Sequence, residues 1–326
     1  LWFSFLSVIG ALLWLDLGVV NKRDTVISPA KSALMWAGFA SLAVLFGLYV
    51  GFVYEPDPRY YISPENLNQQ AVLQYFTGYL LETALAFDNI FVISLIFGYF
   101  AVPRELQHRV LFWGVLGVIV LRGIMIGAGA ALVANFAWTL WIFAAFLIAT
   151  GVKMLFMSEA PTDLSQNALL KFMRRRLRVT DQLHGERFFV RAPDSTGRVV
   201  LHATPLFLAL ALIEFADLIF AVDSVPAIFA ITTDPYIVYT SNIFAILGLR
   251  ALYFALAAIL PRFAYLKYAL AVLLIFIGSK IFISDLLGWA KFPAELSLGI
   301  TFAILATGIL WSMWRTRSAP PGAAAP

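Results

Sequence analysis

Two stretches of this sequence set acids at the same spacing in apolar surroundings. Glu82-Thr-Ala-Leu-Ala-Phe-Asp88-Asn89 has a carboxylate, a second one six residues on, and a side-chain amide directly after it. Asp217-Leu-Ile-Phe-Ala-Val-Asp223-Ser224 repeats the order with a hydroxyl in place of the amide, and Glu214 precedes it by three residues. Carboxylate, amide and hydroxyl oxygens are hard donors. They suit Mg²⁺, Ca²⁺ and Mn²⁺, whereas Zn²⁺ and Cu⁺ favour imidazole and sulfur. The chain has no cysteine, and His108, His184 and His202 all lie outside the centres of the apolar runs. That removes thiolate metal sites, disulfides and cysteine nucleophiles. Geometry sets a limit. A spacing of six puts two side chains about 120° apart on an ideal helix, so Glu82 and Asp88 cannot meet at one point from an unbroken helix. In the second stretch Pro226 follows Asp223 by three residues. Its ring clashes with the carbonyl of Val222 and is expected to loosen the helix there, freeing carbonyls for an ion. The first stretch has no such proline.

The acids have cationic counterparts in the same order. VIVLRGIMI surrounds Arg122 and AILGLRALY surrounds Arg250. Thr-Gly-Val-Lys153-Met-Leu-Phe is followed later by Ile-Gly-Ser-Lys280-Ile-Phe-Ile. Three matched features in order make a repeat of three helices. Three is odd, so the copies are expected to cross a membrane in opposite directions, with a site near the midplane between them. Counting Asp16, outside the repeat, six acids and four bases fall inside apolar spans. A charge at the centre of a span costs about 2.5–3.5 kcal/mol, so each must pair, line a wet cavity or hold an ion. The acids exceed the bases by two; a divalent cation or two protons would neutralise the excess. Arg122 and Arg250 read as counter-ions or gate elements, and Lys153 and Lys280 as structural counter-ions whose stems snorkel. Ser241 and Asn242 suit hydrogen bonds between helices.

What positions these residues follows from composition. The chain has 326 residues, 61% hydrophobic and 13% charged, with a mean hydropathy of +0.85. Soluble domains are about 25% charged. The expected fold is an all-α polytopic membrane protein with about nine spans, at 1–20, 33–54, 71–100, 110–133, 136–157, 204–230, 237–260, 263–285 and 294–314. Residues 1–70 would hold two helices, 71–157 the first repeat, 158–203 a basic cytoplasmic loop, 204–286 the second repeat, and 287–326 the last helix and a disordered Pro/Ala-rich tail. The first apolar run has no basic leader and no small-residue cleavage site, so it reads as a retained helix. One set of alternate connections holds nearly all the Lys and Arg, while the other holds only Arg59 and Lys291. The basic set is expected to be cytoplasmic, with the N-terminus outside, the C-terminus inside, and the bacterial inner membrane as location. The net charge of +4 is then a topology signal rather than a nucleic-acid footprint, and so is Arg174-Arg175-Arg176, though that run could touch anionic lipid.

ETALAFDNIFVISLIFGYFAVP from Glu82, IEFADLIFAVDSVPAIFAITTDP from Ile213 and TSNIFAILGLRALYFALA from Thr240 resemble the TerC family of integral membrane proteins, which includes bacterial manganese exporters. The likeness runs from about Leu12 to Leu286. It implies Mn²⁺ efflux, with Asp88, Asn89, Asp223 and Ser224 at the ion site and Glu82, Glu214 and Asp217 beside it. Where the family often has a serine ahead of the first Asp, this chain has Leu85-Ala86-Phe87. The family was named for tellurium-compound resistance, and a plastid member is associated with thylakoid protein insertion. The rival expectation is therefore an insertion or tellurite-stress assembly factor whose buried charges are structural. No GxGD signature marks an intramembrane aspartyl hydrolase, and no enzyme or resident cofactor is expected. The expected partners are the lipid bilayer and the transported cation.

Overall fold

The computed structural model describes residues 2–15, 29–61, 65–156, 164, 167–193, 198–256, 263, 265–289 and 291–317. The side chains of Ser4, Trp14, Leu15 and Asp88, all of Asp16, and the tail from residue 318 lie outside the described residues. Ten helices follow in order: α1 (Trp2–Leu15), α2 (Pro29–Phe52), α3 (Leu67–Tyr99), α4 (Arg104–Asn135), α5 (Thr139–Phe156), α6 (Ala168–Arg176), α7 (Pro205–Phe229), α8 (Pro235–Leu256), α9 (Leu266–Leu286) and α10 (Ala294–Arg315). Eight of them, all but α1 and α6, are long and apolar enough to cross a membrane. The described part of the first of the nine expected spans, α1, has 14 residues and is about 21 Å long; residues 16–20 of that span lie outside the described residues.

Proline sets several starts. Pro205 and Pro235 occupy the first turns of α7 and α8, where a missing N–H costs nothing and the fixed φ suits a helix. Pro226 does not do what its position suggested. α7 continues as α-helix through Pro226 to Phe229. The proline falls within the last turn, where little helix remains to be disrupted, and its neighbours Val225, Ala227 and Ile228 are all buried and hold the backbone by packing.

α8 is the central element. Nearly every residue from Tyr236 to Tyr253 is buried, beneath α2, α3 and α4. The most extensive pairing is between α5 and α9, and it is reciprocal. A Cβ on Gly151 would lie 2.6 Å from the carbonyl oxygen of Ala271 and 3.1 Å from the nitrogen of Ile275. A Cβ on Gly278 would lie 2.6 Å from the carbonyl oxygen of Ala144 and 3.2 Å from the nitrogen of Ile148. As numbers rise along α5 they fall along α9, so the two helices cross antiparallel with backbones touching at both glycines.

The segment between α5 and α7 holds α6 and an antiparallel hairpin, β1 (Phe189–Pro193) and β2 (Val199–Ala203). Asn167 caps α6, its Oδ1 accepting from the nitrogens of Leu169 and Leu170 at 2.9 and 3.1 Å. Leu170 and Met173 join the core, leaving Arg174, Arg175 and Arg176 exposed. The hairpin is tied to the spans by the ion pair Arg109–Glu186 and by Thr204, whose Oγ1 donates to the Arg187 carbonyl at 2.7 Å.

At the opposite end of the bundle, Asp234 precedes α8 and is 1% exposed. Its Oδ1 accepts from the nitrogens of Tyr236 and Ile237 at 2.9 and 3.4 Å, capping the helix. Its Oδ2 accepts from the hydroxyls of Tyr54 and Tyr61 at 2.8 and 2.7 Å. Burial first, and the Asp234 charge second, push both phenols above their ordinary range, so they remain donors at physiological pH. This carboxylate clamps the α2–α3 connection onto α8. Asp234→Ala is expected to lose on the order of 2–4 kcal/mol, the sum of a lost cap and orphaned donors. Tyr54→Phe should lose only about 1 kcal/mol. Thermal melts in detergent read both, and equal losses would contradict this ranking.

Candidate functional site

Arg122, on α4, is 1% exposed, and its guanidinium draws three other helices together. Nη1 lies 2.7 Å from Glu82 Oε1 on α3. The same nitrogen donates to Ser224 Oγ on α7 at 2.8 Å and to Asn242 Oδ1 on α8 at 2.7 Å. Nη2 reaches Asp217 Oδ1 on α7 at 3.5 Å. Asn89 on α3 donates from Nδ2 to that same oxygen at 3.3 Å. A fixed fork of five N–H donors is the one side chain that can serve so many acceptors from a single position.

The acceptors are not used up. Glu82 Oε2, Asn89 Oδ1, Asp217 Oδ2 and Glu214 Oε1 are buried without a hydrogen-bond partner. An unsatisfied buried polar group costs about 1–3 kcal/mol, more when charged. Three of these oxygens, on Glu82, Asn89 and Asp217, belong to residues of the Arg122 network and leave it able to take a further cation or donor. Glu214 lies against α4: a Cβ on Gly117 would come within 2.6 Å of its Cδ. Between α3, α4, α7 and α8 is a cavity of about 20 Å³, lined by Asn89, Gly114, Asp217 and Arg250 among apolar side chains. One water-sized species needs about 10–15 Å³.

Residues 67–319 match the family model described as "Integral membrane protein TerC family". The chain belongs to the TerC family. A Rickettsia bellii protein named "Uncharacterized membrane protein" is 48% identical over 314 residues, covering 96% of this chain and 97% of that one. Proteins of Photorhabdus laumondii and Escherichia coli K12, both named "Putative membrane-bound redox modulator Alx", are each 45% identical, covering 96% of this chain and 94% of theirs. No solved structure matches.

In this TerC chain, the candidate residues fall into two groups. Glu82, Asn89, Asp217 and Ser224 share the Arg122 network, with Glu214 one turn from Asp217. Asp223 does not join them. It is half-buried and accepts from Thr150 Oγ1 on α5 at 3.4 Å. The spacing limit is visible here: α7 is unbroken, so Asp217 and Asp223 face different neighbours. Asp88 lies in α3, but its side chain is outside the described residues. Among the described residues, no three carboxylate or imidazole side chains are grouped to hold a metal ion; two acids, an amide and a hydroxyl meet at the arginine instead. The lysines diverge too. Lys153 is exposed, whereas Lys280 is buried and donates to Ser297 Oγ on α10 at 2.9 Å. Its described hydrogen-bond partner is a hydroxyl, not the carboxylate a counter-ion would require. Thr150 had no sequence signal, and Asn242 had only its polarity within a span.

Proposed function

We propose that this TerC protein is a transporter that exports a divalent cation, Mn²⁺ before others. The acidic centre around Arg122 would be its binding region, between two inverted three-helix repeats. The observation that carries this reading is the set of three buried, unpartnered oxygens on Glu82, Asn89 and Asp217, two of them carboxylate, in the network of a buried arginine. They are hard donors of the kind Mn²⁺ takes. The repeat is supported by the reciprocal antiparallel crossing of α5 and α9, which pairs corresponding residues of the two segments. The positive-inside bias supports an inner-membrane protein with its C-terminus in the cytoplasm. Arg122 holds the carboxylates while no ion is present, and an entering cation takes over part of that role. The name of the Alx relatives speaks of redox. With no cysteine here, a redox effect of this chain would run through its cargo and not through a thiol.

The test is Mn²⁺ accumulation in cells lacking endogenous exporters, with and without this protein. Expression should lower the accumulated Mn²⁺. Asp217→Asn and Asp223→Asn should each abolish that effect while the protein still inserts in the membrane. Efflux at the wild-type rate from both variants in vesicles would sink the proposal.

A further inference from the structure

The hairpin between α6 and α7 turns apolar side chains outward. Residues alternate faces along a strand. The pairs Arg191↔Leu201 and Pro193↔Val199 therefore put Phe189, Arg191, Val199 and Leu201 on one face. Phe189, Val199 and Leu201 are 45%, 68% and 61% exposed, and Arg191 is exposed among them. The opposite face carries Val190, which is buried, and His202, which is half-buried. A sheet beside water shows the reverse, polar out and apolar in. Exposed apolar patches of this kind mark a surface that meets something other than water.

What it meets follows from its neighbour. Phe189 packs on Phe207 with ring centroids 4.5 Å apart. Phe207 lies in the first turn of α7. At helical spacing it heads a stripe of the exposed side chains Phe215, Leu218 and Val222. Such a stripe on a spanning helix faces lipid. α7 has 25 residues and is roughly 37 Å long, more than a hydrocarbon core of about 30 Å. Its first turn therefore reaches headgroup level, and the hairpin face continues the stripe there. β2 ends at Ala203, two residues before α7 begins at Pro205, which keeps the face close to that level. The charge fits as well. Residues 167–203 hold eight Lys or Arg against three Asp or Glu, and one of those acids, Glu186, is paired with Arg109. A second copy of the chain would bring the same cationic excess to the face, whereas an anionic headgroup complements it.

We propose that this hairpin face is a bilayer anchor that binds an anionic phospholipid. Phe189, Val199 and Leu201 seat at the headgroup ends of the acyl chains. Arg191, opposite Leu201, takes the lipid phosphate, which its planar fork matches. The anchor ties the basic segment between α5 and α7 to the membrane surface. It does not depend on what the protein transports.

The chain has no cysteine, so one introduced cysteine labels a single position. The full chain carrying Leu201→Cys, labelled with a fluorophore, is placed in vesicles of phosphatidylcholine and phosphatidylglycerol. Either lipid carries a quenching nitroxide near the headgroup end of its acyl chain. The label at 201 should be quenched strongly, and a label on His202→Cys, on the opposite face, only weakly. The phosphatidylglycerol quencher should act at 201 with about fivefold higher relative affinity than the phosphatidylcholine one, the weight of one basic side chain at an anionic surface. Arg191→Gln should bring that ratio close to one while quenching itself persists. If Leu201→Cys does not reach the membrane, Val199→Cys probes the same face. Equal quenching at 201 and 202 would overturn the proposal. So would equal affinity for the two lipids in the chain that keeps Arg191, or a ratio unchanged by Arg191→Gln. Shielding of the label in lipid-free detergent that grows with protein concentration would assign the face to a second copy instead.

Discussion

Replacing Arg122 with alanine is expected to cost about 3–5 kcal/mol of stability, the usual loss when one partner of a buried ion pair is removed. Four groups lose their donor at once: Glu82, Asp217, Ser224 and Asn242. Glu82, 2% exposed, would be left as an unpaired buried carboxylate. Such a group protonates or draws in water rather than stay charged in a dry interior. A net stability of 5–15 kcal/mol would leave little margin, so the variant should be scarce in the membrane. Arg122→Lys should recover only part of the loss, because a point charge cannot span acceptors on three helices. The informative combination is Arg122→Met with Glu82→Gln, which removes both charges. It should be more stable than Arg122→Ala alone, since neutralising both partners avoids the orphaned charge. It should still fail to export Mn²⁺. Thermal melts of the detergent-solubilised protein separate the two effects. Equal instability of the single and double variants would show that the guanidinium acts by packing and not by charge.

This node shows how far the sequence could be read. Composition and apolar run length establish a helical membrane protein, because the bilayer demands about 20 apolar residues per span whatever the packing. The duplicated acids and arginines were visible as well, because buried charge is costly enough to stand out. Which charges meet was not visible. Order along the chain pairs Glu82 with Asp88 and Asp217 with Asp223. In space Glu82 and Asp217, the first acids of the two segments, converge on Arg122, while Asp223 turns to Thr150. Helix packing decides this: the first segment's α3 lies on the second's α8, and α4 lies on α7. Asn242 was legible as a residue suited to hydrogen bonds between helices, but not as a partner of Arg122, because the corresponding position of the first segment is Gly114. Pro226 was misjudged because its effect depends on its distance from the helix end, which only the folded chain reveals.

The second large effect belongs to the crossing of α5 and α9. Gly151→Val and Gly278→Val are each expected to lose about 1–3 kcal/mol or somewhat more, the range for overpacking a fitted interface. The upper end is the better expectation. In both cases the obstructing atom is a backbone carbonyl 2.6 Å from the new Cβ, and a carbonyl cannot swing aside as a side-chain tip can. Lipid gives helices no hydrophobic reason to associate, so close backbone approach through small residues carries much of the attraction. Pushing the helices apart also moves Thr150, one residue before Gly151 and the described donor to Asp223. Impaired transport should therefore accompany lost stability. Gly299→Val is the control, since nothing lies within 4 Å of a Cβ there. The double variant should lose less than the sum of the single losses, because one separation of the helices relieves both clashes and contacting sites do not add. The two single variants should also be nearly equal, since Gly151 meets Ala271 and Ile275 just as Gly278 meets Ala144 and Ile148. Clearly unequal losses would mean that the two halves do not share the crossing evenly, and would weaken the case for an inverted repeat at its most direct point of contact.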